Sequence, residues 1–313
     1  MTEPNKTDFN FQEFFLTGFQ NMWDKTSKIK LCTIFLLIYI ITILGNGVLV
    51  ILVKLNQSLH TPMYYFICNL AFLDICIPSV TVPKIASYLL FGDRSIKFGM
   101  CLTQMMFYIG LWTAESFSLT VMSYDRYQAI CNPLMYPLVM SNKKSIRLSV
   151  CCWIGGMTTG IIVLLFVLTI PMCSANKLNH SFCDFFVLVQ LACTDAELSA
   201  AAGFIGTSCL SLSLFFIMLS YIKILLSLQK MTSSKGHKKA FSTCATHLLV
   251  VIMFYLLTLF AMICNKTPAC SGDTWIMAAT LQTMLPPMIN PFIYSFRTKE
   301  IQDCVREIHQ SWI

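Results

Sequence analysis

The chain has 313 residues, of which 56% are hydrophobic and only 12% charged, with a formal net charge of +7. A soluble domain of this length carries about twice that charged fraction and clothes its helices in polar outer faces, so a water-soluble bundle is excluded. The basic residues alternate with long apolar runs and form no stripe with stacking aromatics, which excludes a nucleic-acid partner.

Residues 1–28 are polar and contain no short apolar segment ending in small residues. They are therefore expected to be a tail rather than a cleaved signal, leaving the first apolar run to act as its own insertion signal. The tail carries the sequon Asn5-Lys6-Thr7, a candidate glycosylation site. Asn179-His180-Ser181 and Asn265-Lys266-Thr267 also match, but the first sits in a cysteine-rich loop and the second lies close to the membrane and precedes Pro268. Apolar runs then follow at 29–53, 62–90, 100–123, 146–170, 200–226, 241–264 and 275–296, the second interrupted by Asp74, Pro78, Pro83 and Lys84. A hydrocarbon core of ~30 Å takes about 20 helical residues, so each run is long enough to cross it. The expected fold is all-α: one seven-transmembrane helix bundle over residues 1–313, closed by a tail at 297–313 that begins in a short amphipathic helix. There is no internal repeat or low-complexity tract, and the connections are short except 171–198, a length more often functional than idle.

Lys and Arg counts orient the bundle. With the N-terminus outside, the inner side holds Lys54, Arg126, Lys143, Lys144, Arg147, Lys223, Lys230, Lys235, Lys238, Lys239, Arg297, Lys299 and Arg306, 13 cations against the four acids Asp125, Glu300, Asp303 and Glu307. The outer side has nine of each sign, and Asp74 and Glu115 lie within spans. Lys25, Lys28 and Lys30 ahead of the first span argue locally for the reverse, but the inner excess recurs at every inner loop. The net positive charge thus reads as a topology signal and as a surface for acidic lipid or protein partners.

Most of the 15 cysteines fall inside apolar runs, where Cys behaves as a small apolar residue. Cys101, Cys173, Cys183 and Cys193 lie on the outer side, which faces an oxidising lumen during biosynthesis. Four cysteines allow three pairings and their spacing does not choose among them. Cys264 and Cys270 flank the last outer loop as another candidate pair. No CxxC unit accompanies these residues, so nothing points to a metal.

Ordered motifs run the length of the chain: Gly45-Asn46; Leu59-His60-Thr61-Pro62-Met63-Tyr64; Met122-Ser123-Tyr124-Asp125-Arg126-Tyr127 followed by Ala129-Ile130-Cys131-Asn132-Pro133-Leu134; Ser220-Tyr221; Lys239-Ala240-Phe241-Ser242-Thr243-Cys244-Ala245-Thr246-His247; and Pro287-Met288-Ile289-Asn290-Pro291-Phe292-Ile293-Tyr294-Ser295. The Asp-Arg-Tyr and Asn-Pro-x-x-Tyr elements resemble rhodopsin-like G-protein-coupled receptors, and the remaining strings resemble vertebrate odorant receptors in particular. Ser123, Gln128 and Met288 depart from the usual residues of those strings. The resemblance implies a plasma-membrane receptor of olfactory neuron cilia. Its partners would be a small-molecule odorant, a stimulatory olfactory-type G protein that raises cyclic AMP, and membrane lipid. It also implies disulfides Cys101–Cys183 and Cys173–Cys193.

Individual residues admit two readings. Asp74 and Glu115 are acids at membrane depth, where an ionisable group usually faces the bundle interior and has a partner. They are either neutral hydrogen-bonded acids or, as the resemblance implies, a site for a sodium ion or proton linked to Asn46 and Asn290. No other cofactor and no metal is expected. Asp125-Arg126 is either an ordinary interfacial ion pair, worth ~1 kcal/mol or less, or a latch that releases Arg126 toward a G protein and Tyr221. Tyr127, Asn290, Pro291 and Tyr294 complete the activation elements that the resemblance implies. Pro291 removes a backbone donor and permits a kink.

A ligand site is inferred from helical periodicity. Tyr108, Ile109, Trp112, Thr113 and Ser116 share one face of the third span, Tyr255, Thr258, Leu259 and Met262 one face of the sixth, and Ile205, Gly206 and Cys209 a stripe of the fifth. Such stripes also serve helix packing. If they converge, they enclose a mostly apolar, uncharged cavity suited to a small, neutral organic molecule. Lys266, one turn beyond Met262, would favour acids if it pointed inward, but a solvated loop lysine is the preferred reading.

Other functions find less support. No nucleophile–base constellation suggests an enzyme, and the seventh span lacks the lysine that would bind retinal. Inverted repeats of a transporter are absent. The nearest alternative is a non-olfactory rhodopsin-like receptor for another small molecule. An amine receptor would carry an acid near the outer end of the third span, where Met105, Tyr108 and Ile109 stand.

Overall fold

A computed structural model of the chain describes residues 12–19, 24–172, 176–192, 196–230, 234–267, 270–297, 300–304 and 306. Asn5, Cys173 and Cys193 lie outside the described residues. Seven long helices form a bundle: α1 (Lys25–Leu55), α2 (Pro62–Phe91), α3 (Phe98–Cys131), α5 (Asn142–Thr169), α7 (Ala196–Gln229), α8 (Ser234–Lys266) and α9 (Gly272–Arg297). Two short helices, α4 (Tyr136–Val139) and α6 (Phe185–Val189), sit in loops at opposite ends. Residues 300–304 are helical again, with Ile301 and Cys304 buried and Asp303 exposed, as an amphipathic segment requires.

Local chemistry sets the helix ends. The Asp24 side chain accepts from the Ser27 amide at 2.7 Å and starts α1, and Ser141 does the same for α5 through Lys144 at 3.3 Å. Pro62 opens α2, where its missing N–H costs nothing, and Gly92 ends it in the left-handed conformation at φ +70°. Helices α1, α2, α5, α7 and α8 are long and apolar enough to cross a membrane. Their outward faces are apolar too, with Leu44 62% and Phe204 71% exposed, a surface that only lipid satisfies. Helices α3 and α9 carry more polar residues because most of their surface is enclosed by the others.

The bundle is held by close approaches as well as by apolar burial. Gly156 and Gly160 of α5 face Gly110 and Ala114 of α3, and a Cβ added at Gly156 would stand 2.4 Å from the Gly110 carbonyl oxygen. Small residues four apart let two membrane helices meet backbone to backbone. Trp153 Nε1 donates to Asn69 Oδ1 at 2.8 Å, and Asn69 Nδ2 donates to Ser118 Oγ at 2.8 Å, which joins α5, α2 and α3. Pro291 has no N–H to offer the Pro287 carbonyl, and Asn46 Nδ2 of α1 supplies the missing donor at 2.8 Å.

Residues 1–28 are not wholly a tail. Glu13–Leu16 forms β1, the middle strand of a small sheet, antiparallel to β2 (Ser95–Lys97) and parallel to β3 (Lys177–Leu178). Phe14 and Leu16 point inward and are fully buried, in a cluster with Cys101, Cys183, Phe185 and Trp275. Gly18 follows at φ +57°, pressed against the Tyr88 ring so closely that a Cβ would meet it at 2.4 Å. The sheet caps one end of the bundle, above the cavity.

Candidate functional site

Beneath the sheet, α3, α5, α7, α8 and α9 leave a cavity, roofed by α6 and with about 110 Å³ free to the centre of a water molecule. The roof is fixed twice over. Cys183 is bonded to Cys101 of α3, with Cα atoms 5.4 Å apart. The Cys183 amide also donates to Gln104 Oε1 at 2.9 Å, while Gln104 Nε2 donates to the Val80 carbonyl at 2.8 Å. Tyr108, Trp112 and Phe254 stack through the bundle beside Phe182 of the loop, with the Trp112 and Phe254 rings 4.5 Å apart.

Of the residues expected at a ligand site, Tyr108, Ile109, Trp112, Thr113, Gly206, Thr258 and Met262 line this cavity. Five expected residues do not. Ser116 and Tyr255 lie one turn deeper and bond each other at 3.0 Å, and the Tyr255 hydroxyl also donates to the Leu210 carbonyl at 3.4 Å. Cys209 turns to Thr159 of α5 at 3.9 Å, and Ile205 lies off the lining. Leu259 is 54% exposed on the outer face, because its position next to Thr258 puts it about 100° round the helix, toward lipid. Lys266 is exposed and off the lining.

The periodicity argument missed a whole wall and the roof. Trp275, Ala279 and Gln282 of α9 line the cavity at i, i+4 and i+7, a spacing visible in the sequence but without a partner to single it out. Gly203, Thr207 and Leu210 extend the α7 stripe, and Val163, Ala261 and Asn265 complete the helical walls. Asp184, Phe185 and Phe186 come from the loop, immediately after the cysteine that ties it down. Asp184 corrects the expectation of an uncharged cavity. Its Oδ1 accepts from the Phe185 amide at 2.7 Å, and burial pushes its carboxyl up to about 6. His180, on the same loop, packs edge-on to Phe182 and Trp275, and burial drives it down to about 3.

Deeper in the bundle, Asp74 is fully buried and both its oxygens accept from Asn290 Nδ2, at 3.0 and 3.2 Å. Glu115 is buried near enough for its charge to oppose that of Asp74, and neither of its oxygens has a hydrogen-bond partner. Asn46 Oδ1, Asn290 Oδ1 and the Tyr294 hydroxyl are orphaned too. Two carboxylates in a dry interior cannot both ionise without a cation, and buried oxygens without donors are costly. A proton or a hard cation with oxygen ligands fits this set. Among the described residues no cluster of three or more His, Cys, Asp and Glu offers a transition-metal site.

At the end opposite the sheet, Arg126 is paired with Asp125, which also accepts from the Tyr136 hydroxyl of α4 at 2.8 Å. Tyr221 of α7 is engaged elsewhere, 2.6 Å from His247 Nδ1 of α8. Tyr127 is half-buried beside Tyr124. The Arg126 charge is felt by both Tyr221 and Tyr294, which places the three side chains near one another. His247 stands in the Lys239–His247 string, and nothing in the string itself indicates that it holds Tyr221. The sulfurs of Cys264 and Cys270 approach to 3.0 Å.

A family model described as olfactory receptor matches residues 35–311. Among curated proteins, the chain is 37% identical to olfactory receptor 6N1 of Homo sapiens, over 94% of both chains. It is 37% identical to olfactory receptor 2D2 of Homo sapiens over 98% of both, and 35% identical to olfactory receptor-like protein OLF3 of Canis lupus familiaris over 93% of this chain and 91% of the relative. Among solved structures, squid rhodopsin superposes with a TM-score of 0.73 at 16% identity, covering 92% of this chain and 83% of its own.

Proposed function

The chain belongs to the olfactory receptor family of rhodopsin-like G-protein-coupled receptors, and from that premise we propose that it detects a small, mainly apolar odorant and activates a stimulatory olfactory-type G protein to raise cyclic AMP. It is a multi-pass membrane receptor and not an enzyme. The observation that carries the proposal is the cavity itself. Its helical walls hold aromatic and aliphatic side chains with a few hydroxyls and amides, and no charge. A ligand buried there gains about 25 cal/mol per Å² of apolar surface, while the hydroxyls of Thr113 and Thr258 orient it. The body of the ligand that meets these helices is therefore neutral.

The remaining parts of the reading follow. The N-terminus is outside, with Asn5 glycosylated and the sheet end facing the odorant. Cys173 pairs with Cys193, and the receptor works in cilia of olfactory neurons. Asp74 and Glu115, with Asn46 and Asn290, hold a sodium ion or share a proton. Asp74 and Glu115, with the side-chain oxygens of Asn46 and Asn290, would hold the ion, whose single positive charge would offset one of the two carboxylates, while Asn290 Nδ2 holds Asp74 in place. Arg126 leaves Asp125 when α8 moves and meets the G protein, with Tyr221 released from His247 to receive it.

The test is a panel of volatile compounds read by cyclic AMP in cells with the olfactory stimulatory G protein. Wild type responds to a subset, and Trp112→Ala at matched surface expression loses those responses. Unchanged responses in Trp112→Ala refute the cavity as the ligand site.

A further inference from the structure

Among the described residues that line the cavity, Asp184 carries the one formal charge. The other walls contribute neutral groups to the same cavity: Thr113 of α3, Val163 of α5, Thr207 of α7, Asn265 of α8 and Gln282 of α9. Among the described residues, Tyr108 is the only other titratable side chain on the lining. The carboxylate is also held in place. Its residue follows the cysteine bonded to α3, and its Oδ1 takes the Phe185 amide that opens α6. The Phe185 and Phe186 amides account for its local structural role, and a carboxylate with about four lone-pair sites can still accept from a ligand.

We propose that Asp184 is the specificity-determining residue of this receptor, accepting a charge-assisted hydrogen bond from the protonated nitrogen of a small organic amine whose apolar body fills the helical part of the cavity. The inference deepens the odorant-receptor reading above and rests on it. An acid at the loop does here what an acid on α3 would do in an amine receptor, and it explains how an amine is held although Met105, Tyr108 and Ile109 offer no counter-charge. A fixed acceptor that needs no rearrangement binds a cation strongly in such a water-poor site. The same carboxylate repels a carboxylic acid of equal size, because two like charges would be enclosed together.

Protonation gives a second handle. With burial raising its carboxyl to about 6, Asp184 is mostly ionised at pH 7. Below pH 6 it becomes neutral and loses the attraction. His180 is held neutral down to about 3, so it does not titrate in that window.

The experiment compares cyclohexylamine, cyclohexanol and cyclohexanecarboxylic acid, and likewise benzylamine, benzyl alcohol and benzoic acid. Each is tested on wild type, Asp184→Asn and Asp184→Ser, two variants that keep a capping oxygen. Two readouts are taken: ligand-induced thermal stabilisation of the purified receptor, which needs no G protein, and cyclic AMP at matched surface expression. Amines are expected to stabilise wild type at concentrations about tenfold lower than the alcohols, with the acids weakest. The advantage disappears in both variants and, in wild type, as pH falls through 6. Amine stabilisation without cyclic AMP upholds the role of Asp184 and refutes the coupling. Alcohols that stabilise and activate while amines do neither, or an amine advantage that survives in Asp184→Asn and at pH 5, overturns the proposal and leaves the receptor reading standing. No stabilisation by any compound overturns both.

Discussion

Replacing Gly156 by alanine adds a single methyl group at the closest approach in the bundle. The new Cβ would lie 2.4 Å from the Gly110 carbonyl oxygen, 2.6 Å from Ala114 Cβ and 2.7 Å from the Ala114 amide nitrogen. These are backbone atoms or atoms fixed to it, so no rotamer relieves the overlap. Ordinary contacts of this kind begin at about 3.5 Å, so α3 and α5 must part by about 1 Å. A gap of that size forfeits a quarter to a half of the dispersion along the interface, the most extensive between any two helices here. Overpacking of this kind costs about 1–3 kcal/mol, against which alanine's better helix propensity returns up to about 1 kcal/mol. Net destabilisation of about 1–2 kcal/mol is expected, together with weaker ligand responses, because Tyr108, Ile109, Trp112 and Thr113 move with α3. Gly47→Ala is the control, since a Cβ there meets nothing within 4 Å and the propensity gain stands alone. Thermal denaturation of purified receptor and surface expression measure both. Gly156→Ala as stable as Gly47→Ala would refute the close-packing argument.

Three further outcomes are expected. Cys101→Ser opens a loop whose ends are 82 residues apart, worth about 4–5 kcal/mol in chain-entropy terms and less in a membrane-confined chain, so surface expression should collapse; normal expression would show that the Gln104 bonds suffice to hold the roof. Arg126→Ala should abolish cyclic AMP responses at matched surface expression and lower thermal stability, because Asp125 is left buried without its cation; intact responses would end the latch role. Sodium should raise the thermal stability of wild type more than that of Glu115→Gln, whereas an equal rise in both would mean that Glu115 holds a proton and not the ion.

The sequence by itself determined the solvent and the architecture. Runs of apolar residues in 29–53 and its six successors leave no outward face for water, so helices in a bilayer were the only way to satisfy the backbone. It also placed Asp125, Arg126 and Asn290, because motif strings carry their own register, and it singled out Asp74 as an acid inside an apolar run. It marked faces well and partners poorly. A stripe such as Tyr108–Ser116 says which side of a helix is enclosed, but the depth at which a cavity opens depends on how neighbouring helices cross. Tertiary structure therefore set Ser116 and Tyr255 below the cavity lining, turned Leu259 to lipid, and brought in Gln282 from α9. The same holds for residues with no periodicity to read. Phe14 and Leu16 are buried because β2 and β3, distant in sequence, meet β1 over the bundle end. Asp184 reaches the cavity because a disulfide to α3 folds its loop inward, a contact between residues 82 apart that no local pattern encodes.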